Sequence, residues 1–147
     1  MLGMEAIHRI EVLSKDECVT LMTSVPVGRL VFTDRALPAI LPVTFVVDGD
    51  SVVVRTARGS RLARAVDGAV VAFEVDAIDP HQSAGWSVVV TAVSRLETDP
   101  AEVDRLAAAL TAWVPGVKDV FIRVPLTVVT GRRVTRRPVR SAVRAAT

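Results

Sequence analysis

Residues 38–57 read PAILPVTFVV, then DGD, then SVVVRTA, so two apolar stretches flank the turn residues Asp48-Gly49-Asp50. Both stretches are rich in valine and are short enough to be strands. An Asp-Gly pair between two such stretches is typical of a β-hairpin turn. The sequence therefore predicts a hairpin made of residues 38–47 and 51–57, and a hairpin of this kind favours a mainly β fold.

The neighbouring segments extend this hairpin into a larger β structure. Further strand-like runs cover residues 27–33, 69–78, 86–98 and 120–130. Three helices are predicted between them: one opened by the capping box of Ser14 and Glu17, one over residues 61–66, and one that Asp99 caps and that runs through Trp113. There is no internal repeat and no alternation of strand and helix along the whole chain, which excludes a doubly wound parallel sheet.

Several of the predicted strands carry apolar residues on both faces, as residues 70–75 and 88–93 do. An open sheet with one face in water would alternate more strictly. A small closed barrel whose outer wall is covered by helices or by a second subunit explains both apolar faces. We therefore expect a mainly β fold with flanking helices, built as a six-stranded barrel and assembled as a homodimer.

Composition and length point to one soluble domain. The chain has 147 residues, of which 50% are apolar and 23% charged, so it can build a core without metal or disulfide cross-links. Cys18 has no second cysteine to pair with, and two histidines far apart in sequence, His8 and His81, do not make a zinc site. With no apolar run near 20 residues and no signal-peptide pattern, we expect a cytoplasmic protein without a membrane segment.

The charge is divided unevenly along the chain. Residues 132–147 contain six arginines and no acidic residue, which leaves 12 basic and 16 acidic residues, a formal charge of −4, in residues 1–131. We interpret residues 1–134 as the folded domain and residues 135–147 as an arginine-rich arm. Nucleic-acid binding through this arm ranks last among the possible functions, because the domain itself is acidic.

The stretch VVRTARGSRL, residues 53–62, offers the best candidate for a binding site. A strand ends at Arg55-Thr56, a glycine-containing turn follows, and Ser60 stands where it would cap the next helix. Hydroxyl groups at Thr56 and Ser60, with nearby arginines, have the chemistry of a phosphate site. The alternative is an ordinary surface turn with a helix cap and solvated arginines.

Six segments in order resemble the pyridoxamine 5′-phosphate oxidase-like superfamily. They are Gly28-Arg29-Leu30, Pro42-Val43-Thr44-Phe45, residues 55–62, residues 71–76, residues 85–90 and residues 129–133, within a match from about Ser14 to Arg133. The resemblance implies a split β-barrel that binds FMN, or the deazaflavin F420, at the interface of a homodimer. The oxidase's own cluster for the phosphate of its substrate is not evident, so pyridoxamine phosphate oxidation is not expected.

The resemblance also implies roles for individual residues. Thr56, Ser60 and Arg61 match positions that hold the flavin phosphate, and Arg55 matches one that faces the ribityl chain or the ring edge. Pro42, Val43 and Thr44 resemble the strand beside the isoalloxazine ring. Trp86 and Ser87 match a strand start that approaches the cofactor from the neighbouring subunit, and Arg132 matches an arginine that closes the site.

Other polar residues have less specific interpretations. Glu74 and Asp76 alternate with apolar residues and should share one strand face, where they line a polar cavity or, as we favour, face water. His81 lies in a polar loop and should be exposed, with haem ligation as the alternative. Trp113 is expected to pack in the core with its helix, and Cys18 is expected to be buried.

The leading functional hypothesis is a flavin-dependent oxidoreductase that acts on a small organic substrate with FMN as cofactor. Hydride chemistry belongs to such a cofactor, which agrees with a sequence lacking a Ser-His-Asp, Cys-His or HExxH-like arrangement. The alternatives are an F420-dependent reductase and a non-catalytic carrier or sensor of flavin or haem. One fold hosts many functions, so the resemblance does not separate them.

Overall fold

The computed structural model describes residues 6–111 and 119–138. The strands are β1 (Ala6–Val12), β2 (Val27–Asp34), β3 (Leu37–Asp48), β4 (Ser51–Thr56), β5 (Val70–Asp79), β6 (Ala84–Val93), β7 (Arg95–Leu96), β8 (Val120–Pro125) and β9 (Val128–Pro138). The helices are α1 (Lys15–Met22), α2 (Arg61–Val66) and α3 (Pro100–Ala109). The mainly β architecture with flanking helices agrees with the sequence-based expectation.

In these two ranges the strands form one antiparallel sheet in the order β1-β9-β6-β5-β2-β3-β4-β8-β7. The expected closed barrel of six strands is therefore wrong: over residues 6–111 and 119–138 the sheet has nine strands and does not close. It curls around its core until β6 and β8 lie side by side, but these two strands do not pair. The two ends of the sheet are β1 and the two-residue β7.

Three local features account for the additional strands. β1 precedes the first predicted element and forms by pairing with β9, from Ala6 opposite Pro138 to Val12 opposite Arg132. The predicted strand over residues 86–98 is interrupted at the fully buried Ser94, whose amide donates to the Ala69 carbonyl. The predicted last strand is two strands, and β9 continues to Pro138, into the stretch interpreted as an arm; residues 139–147 lie outside the described residues.

The helix signals of the sequence are borne out. Ser14 and Glu17 form the capping box, with both backbone-to-side-chain hydrogen bonds at 3.2 Å. Asp99 caps α3 through the amide of Ala101. α3 ends at Ala109, and Trp113, which was predicted to lie in this helix, is outside the described residues.

The curled sheet encloses the main core, in which the rings of Phe45 and Phe73 meet edge to face at 4.8 Å between centroids. A second, smaller core lies on the other side of β4 and β8, where Val53 and Phe121 pack against Leu106 and Leu110 of α3 and its C-terminal cap. β4 is thus covered on both faces, which explains its unbroken run of buried valines.

A buried ionic cluster ties α3 to the sheet. The guanidinium of Arg123 on β8 donates to Glu97, to Asp48 at 2.8 Å and to Glu102 of α3 at 2.8 Å. Arg105, which is half exposed, donates to Asp48 and Glu102 from the solvent side. These hydrogen bonds from Arg105 and Arg123 hold the pKa of Asp48 well below its usual range.

Arg123→Ala should destabilise the fold by about 3–5 kcal/mol, because it leaves the buried Glu97 carboxylate with only its longer contact to the exposed Arg95, at 3.8 Å. Arg105→Ala, which removes an exposed member of the same cluster, should cost about 1 kcal/mol or less. Urea unfolding at neutral pH measures both changes. Equal effects of the two substitutions would contradict the role of burial at Arg123.

Candidate functional site

The strand, turn and helix of residues 53–62 fold as the sequence predicts. Ser60 caps α2 by accepting the amide of Ala63 at 3.0 Å, and its hydroxyl lies 3.2 Å from that of Thr56. Gly59 has φ +72°, and a β-carbon built on it would meet no atom within 4 Å. The structure therefore brings two hydroxyl groups together beside a turn with open space next to it.

The arginines around this turn point in different directions. Arg61 pairs through Nε with Asp34 at the end of β2, and Arg58 pairs with Asp119 at 3.1 Å. Arg55 donates to the carbonyl of Leu110 at 2.7 Å and lies over the Phe121 ring, so it packs against the C-terminal end of α3. Arg61 thus follows Ser60 in the chain and contacts the end of β2, whereas Arg55 contacts the C-terminal end of α3.

A second group of predicted residues meets across β6 and β9. Ser87 is the cross-strand partner of Arg132, and both line a groove of about 630 Å³ with Ile10 and Val12 of β1 and Val89 of β6. Trp86, Ser87 and Arg132 also line an adjoining cavity of about 200 Å³. The groove is largely apolar, with Arg132 as its cationic group.

The third group lies on β3. Pro42 is exposed and pairs with Arg29 of β2, while Val43 and Thr44 are half buried. In the sheet order, β2 and β5 separate this segment from β6 and β9. Within one chain the β3 segment and the Ser87–Arg132 groove therefore do not form a single pocket.

A charged cluster of Arg29, Glu74 and Asp76 lies between these groups. Arg29 Nη1 lies 3.3 Å from Glu74 Oε2 and 3.3 Å from Asp76 Oδ2. The strand registers align Pro42, Arg29 and Glu74 in one row across the sheet, and Asp76, Ser87 and Arg132 in the next. Glu74 and Asp76 do share a face as expected, but their side chains are only about a quarter exposed. In the sequence, the alternation of Glu74 and Asp76 with apolar residues was the signal that pointed to this cluster.

Glu74 has a raised pKa in this cluster. Partial burial, a hydrogen bond with Asp76 and the negative charge of Asp76 raise the pKa of Glu74 to about 7, although Arg29 opposes the shift. A carboxyl group with a raised pKa thus lies between the β3 segment and the Ser87–Arg132 groove.

The remaining candidates, Cys18 and His81, lie outside these groups. Cys18 is fully buried on α1, as predicted. His81 is exposed in the β5–β6 turn, where its amide donates to Asp79. Across residues 6–111 and 119–138 there is no grouping of three or more histidine, cysteine or acidic side chains suited to a metal ion, and none of the helices there is long and apolar enough to cross a membrane.

The fold and these groups define the class of protein to which the chain belongs. A curled, unclosed antiparallel sheet with short flanking helices is the architecture of split-barrel proteins related to pyridoxamine phosphate oxidase, and solved structures of that class superpose on this one. Residues 14–133 match the family model for pyridoxamine 5′-phosphate oxidase, and the chain belongs to that family. The resemblance on the six segments is confirmed.

Individual relatives support this assignment. An uncharacterized protein of Mycobacterium tuberculosis is 40% identical over 127 residues, covering 83% of this chain and 84% of its own. The FAD binding protein from Mycobacterium smegmatis is 35% identical with a TM-score of 0.67, covering 85% of this chain and 98% of that one. A putative pyridoxamine 5′-phosphate oxidase from Corynebacterium glutamicum is 29% identical with a TM-score of 0.75, covering 86% and 99%.

Glu74→Gln should flatten the pH dependence of stability between about 4.5 and about 7, the ordinary and the folded pKa of this group. Because the folded pKa is raised, Glu74 favours the folded state below about 4.5, and this contribution is lost as pH rises to about 7. The glutamine variant does not titrate and so avoids the loss. Urea unfolding at fixed protein concentration, at pH 4.5 and pH 8, measures the difference.

The control for this experiment is Asp104→Asn, which neutralises an exposed carboxylate on α3. It should leave the difference in stability between the two pH values as it is in the unmodified protein. A Glu74→Gln protein with the same difference would show that Glu74 titrates as an ordinary surface carboxylate.

Proposed function

We propose that this protein is a flavin-dependent oxidoreductase that binds FMN and acts on a small organic substrate. The observation that carries the proposal is the pair of hydroxyls at Thr56 and Ser60, 3.2 Å apart, beside Arg61 and the open turn at Gly59. This arrangement occurs in a member of the pyridoxamine 5′-phosphate oxidase family, and a structural neighbour 35% identical to it is an FAD binding protein.

The residues of this turn fit a phosphate group. Ser60 Oγ accepts from Ala63, and one hydroxyl hydrogen is used between Thr56 and Ser60, which leaves the other hydrogen for an anion. Arg61 uses only Nε in its bond to Asp34, so its terminal nitrogens remain able to donate to phosphate oxygens. The space beside Gly59 leaves room for the ligand, and a larger residue there would have to adopt an unfavourable positive φ.

A bound flavin would supply the hydride transfer that the protein's own side chains lack. The chain's contribution is then to bind and orient. Thr56, Ser60 and Arg61 would hold the phosphate, Pro42, Val43 and Thr44 would lie beside the ring, and Arg132 would close the site with a positive charge. Arg55 holds the C-terminal end of α3 against β4 and β8 through the Leu110 carbonyl and the Phe121 ring.

We also propose that the protein is a homodimer with the cofactor at the subunit interface. The strand registers place seven exposed apolar side chains on the outer face of the sheet: Ile10, Val12, Ile40, Val70, Ile78, Val93 and Val128. Exposed apolar side chains grouped on one face of a sheet and bordered by polar residues are typical of an interaction surface. A second copy would cover this face and bring its own Ser87–Arg132 groove towards the β3 segment, which one chain keeps apart.

Arg61→Ala should weaken FMN binding about tenfold or more, the effect of losing a charge-assisted hydrogen bond to the phosphate. Binding of riboflavin, which has no phosphate, should be unchanged. The measurement is quenching of flavin fluorescence by the apoprotein, after an absorbance spectrum of the purified protein has recorded any bound flavin. Arg95→Ala, which removes an exposed arginine on β7, is the control.

Each outcome of this titration is informative. Unchanged FMN affinity in the Arg61→Ala protein would overturn the phosphate assignment. Saturable binding of F420 or haem but not of FMN would replace the flavin proposal by the corresponding alternative. Turnover of bound flavin by NAD(P)H would support an enzyme, and tight binding without turnover by any reductant would support a carrier.

Val12→Glu should convert a dimer into a monomer, because Val12 is 85% exposed in one chain and lies on the apolar outer face. A buried, unpaired carboxylate at such an interface is costly. Ala108→Glu, at an exposed position on α3 away from that face, should leave the dimer intact. Sedimentation equilibrium at micromolar concentration measures both, and a stable monomer of the unmodified protein would refute the proposed interface.

A further inference from the structure

A cavity of about 290 Å³ lies between the β2–β3 turn and α2, and three arginines line it together with one acid: Asp34, Arg35, Arg61 and Arg64. Arg35 belongs to the two-residue turn that joins β2 to β3. The paired residues Asp34 and Leu37 flank this turn. Arg61 and Arg64 are three residues apart on α2, so their side chains lie on neighbouring positions of one helical face. Two separate elements thus contribute like charges to one cavity.

The charges of this cavity do not balance. Asp34 is paired with Arg61 through Nε. Within residues 6–111 and 119–138, no carboxylate lies within ion-pair distance of Arg35 or Arg64. Three guanidinium groups against one carboxylate leave a formal charge of +2 in the cavity. An anion with several oxygen atoms is the ligand chemistry that such a group of arginines recognises.

The cavity shares Arg61 with the proposed phosphate site. Arg61 follows Ser60 directly in the chain and lines the cavity, while the Ser60 hydroxyl meets that of Thr56. A ligand whose first phosphate is held in part by Arg61 would present its next anionic group to Arg35 and Arg64, which line the same cavity as Arg61. At about 290 Å³, the cavity is at the small end for a complete cofactor pocket and suits a single anionic group.

We infer that Arg35 and Arg64 form a subsite for a second anionic group of the bound cofactor, beyond the phosphate at Thr56 and Ser60. The second phosphoryl group of a flavin dinucleotide has this chemistry, and so does the anionic tail of a deazaflavin. The inference rests on the proposed flavin function and deepens it: the site proposed for the FMN moiety continues into a second subsite, which a cofactor with two anionic groups fills and FMN alone leaves empty.

The test compares riboflavin, FMN and FAD as ligands of the apoprotein, in the unmodified protein and in an Arg35→Ala/Arg64→Ala variant. The unmodified protein should bind FAD about tenfold more tightly than FMN. The double variant should lose that advantage while its FMN affinity changes less than twofold. Because both arginines are exposed and outside the core, the variant should fold normally, and its retained FMN binding reports this directly.

The control is Arg95→Ala, which removes a positive charge from β7 and should weaken FAD and FMN equally little. Raising the salt concentration should reduce the advantage of FAD over FMN in the unmodified protein and not in the double variant, because the second contact is between charges near the surface. F420, titrated in the same way, identifies the source of the second anion. If the double variant loses affinity for F420 but not for FAD, the subsite is assigned to the deazaflavin tail.

The outcomes separate this inference from the proposed function. Binding of none of the ligands by the unmodified protein would overturn the flavin proposal and this inference with it. Flavin binding with equal FMN and FAD affinities, and with an F420 affinity that the double variant retains, would overturn the subsite alone. A parallel loss of FMN and FAD affinity in the double variant would also overturn it, because the two arginines would then act on the first phosphate.

Discussion

The packing of Phe73 over Gly28 is the contact on which the rest of the structure depends. A β-carbon at Gly28 would come within 2.4 Å of the Phe73 ring, so the ring fills the place of the missing side chain. From β5 it reaches across β2 to the Phe45 ring of β3. Three consecutive strands of the sheet are thereby joined by one aromatic pair, and the curled core forms around it.

The same glycine is followed by Arg29, and successive strand residues face opposite sides of a sheet. Gly28 therefore receives Phe73 on the inner face while Arg29 meets Glu74 and Asp76 on the outer face. A single dipeptide thus links the packing of the core to the charged cluster between the candidate cofactor segments. This is why a change in the core at β2 or β5 would also displace the outer-face groups.

The sheet is too long for its three short helices to cover. α3 covers β4 and β8, and the Arg123 cluster fastens that helix to the sheet through three carboxylates. No such cover lies on the outer face of β1, β9, β6, β5 and β2 in the part of the chain that the structure describes, and seven exposed apolar side chains mark that face and the adjoining β3. The proposed dimer contact follows from this one uncovered surface, since a second copy would supply the surface opposite it.

Local patterns in the sequence determined the helices and turns that short-range hydrogen bonds stabilise. The capping box of Ser14 and Glu17, the Asp48-Gly49-Asp50 turn and the α2 helix with its Ser60 cap all formed as expected, because their hydrogen bonds join residues a few positions apart. The tertiary structure alone decided the rest. β1 exists because β9 pairs with it, Ser94 ends β6 because its backbone bonds to Gly68 and Ala69, and Arg55 turns to α3 because the Leu110 carbonyl accepts it. Each of these depends on a partner distant in sequence, and no pattern of neighbouring residues encodes such a partner.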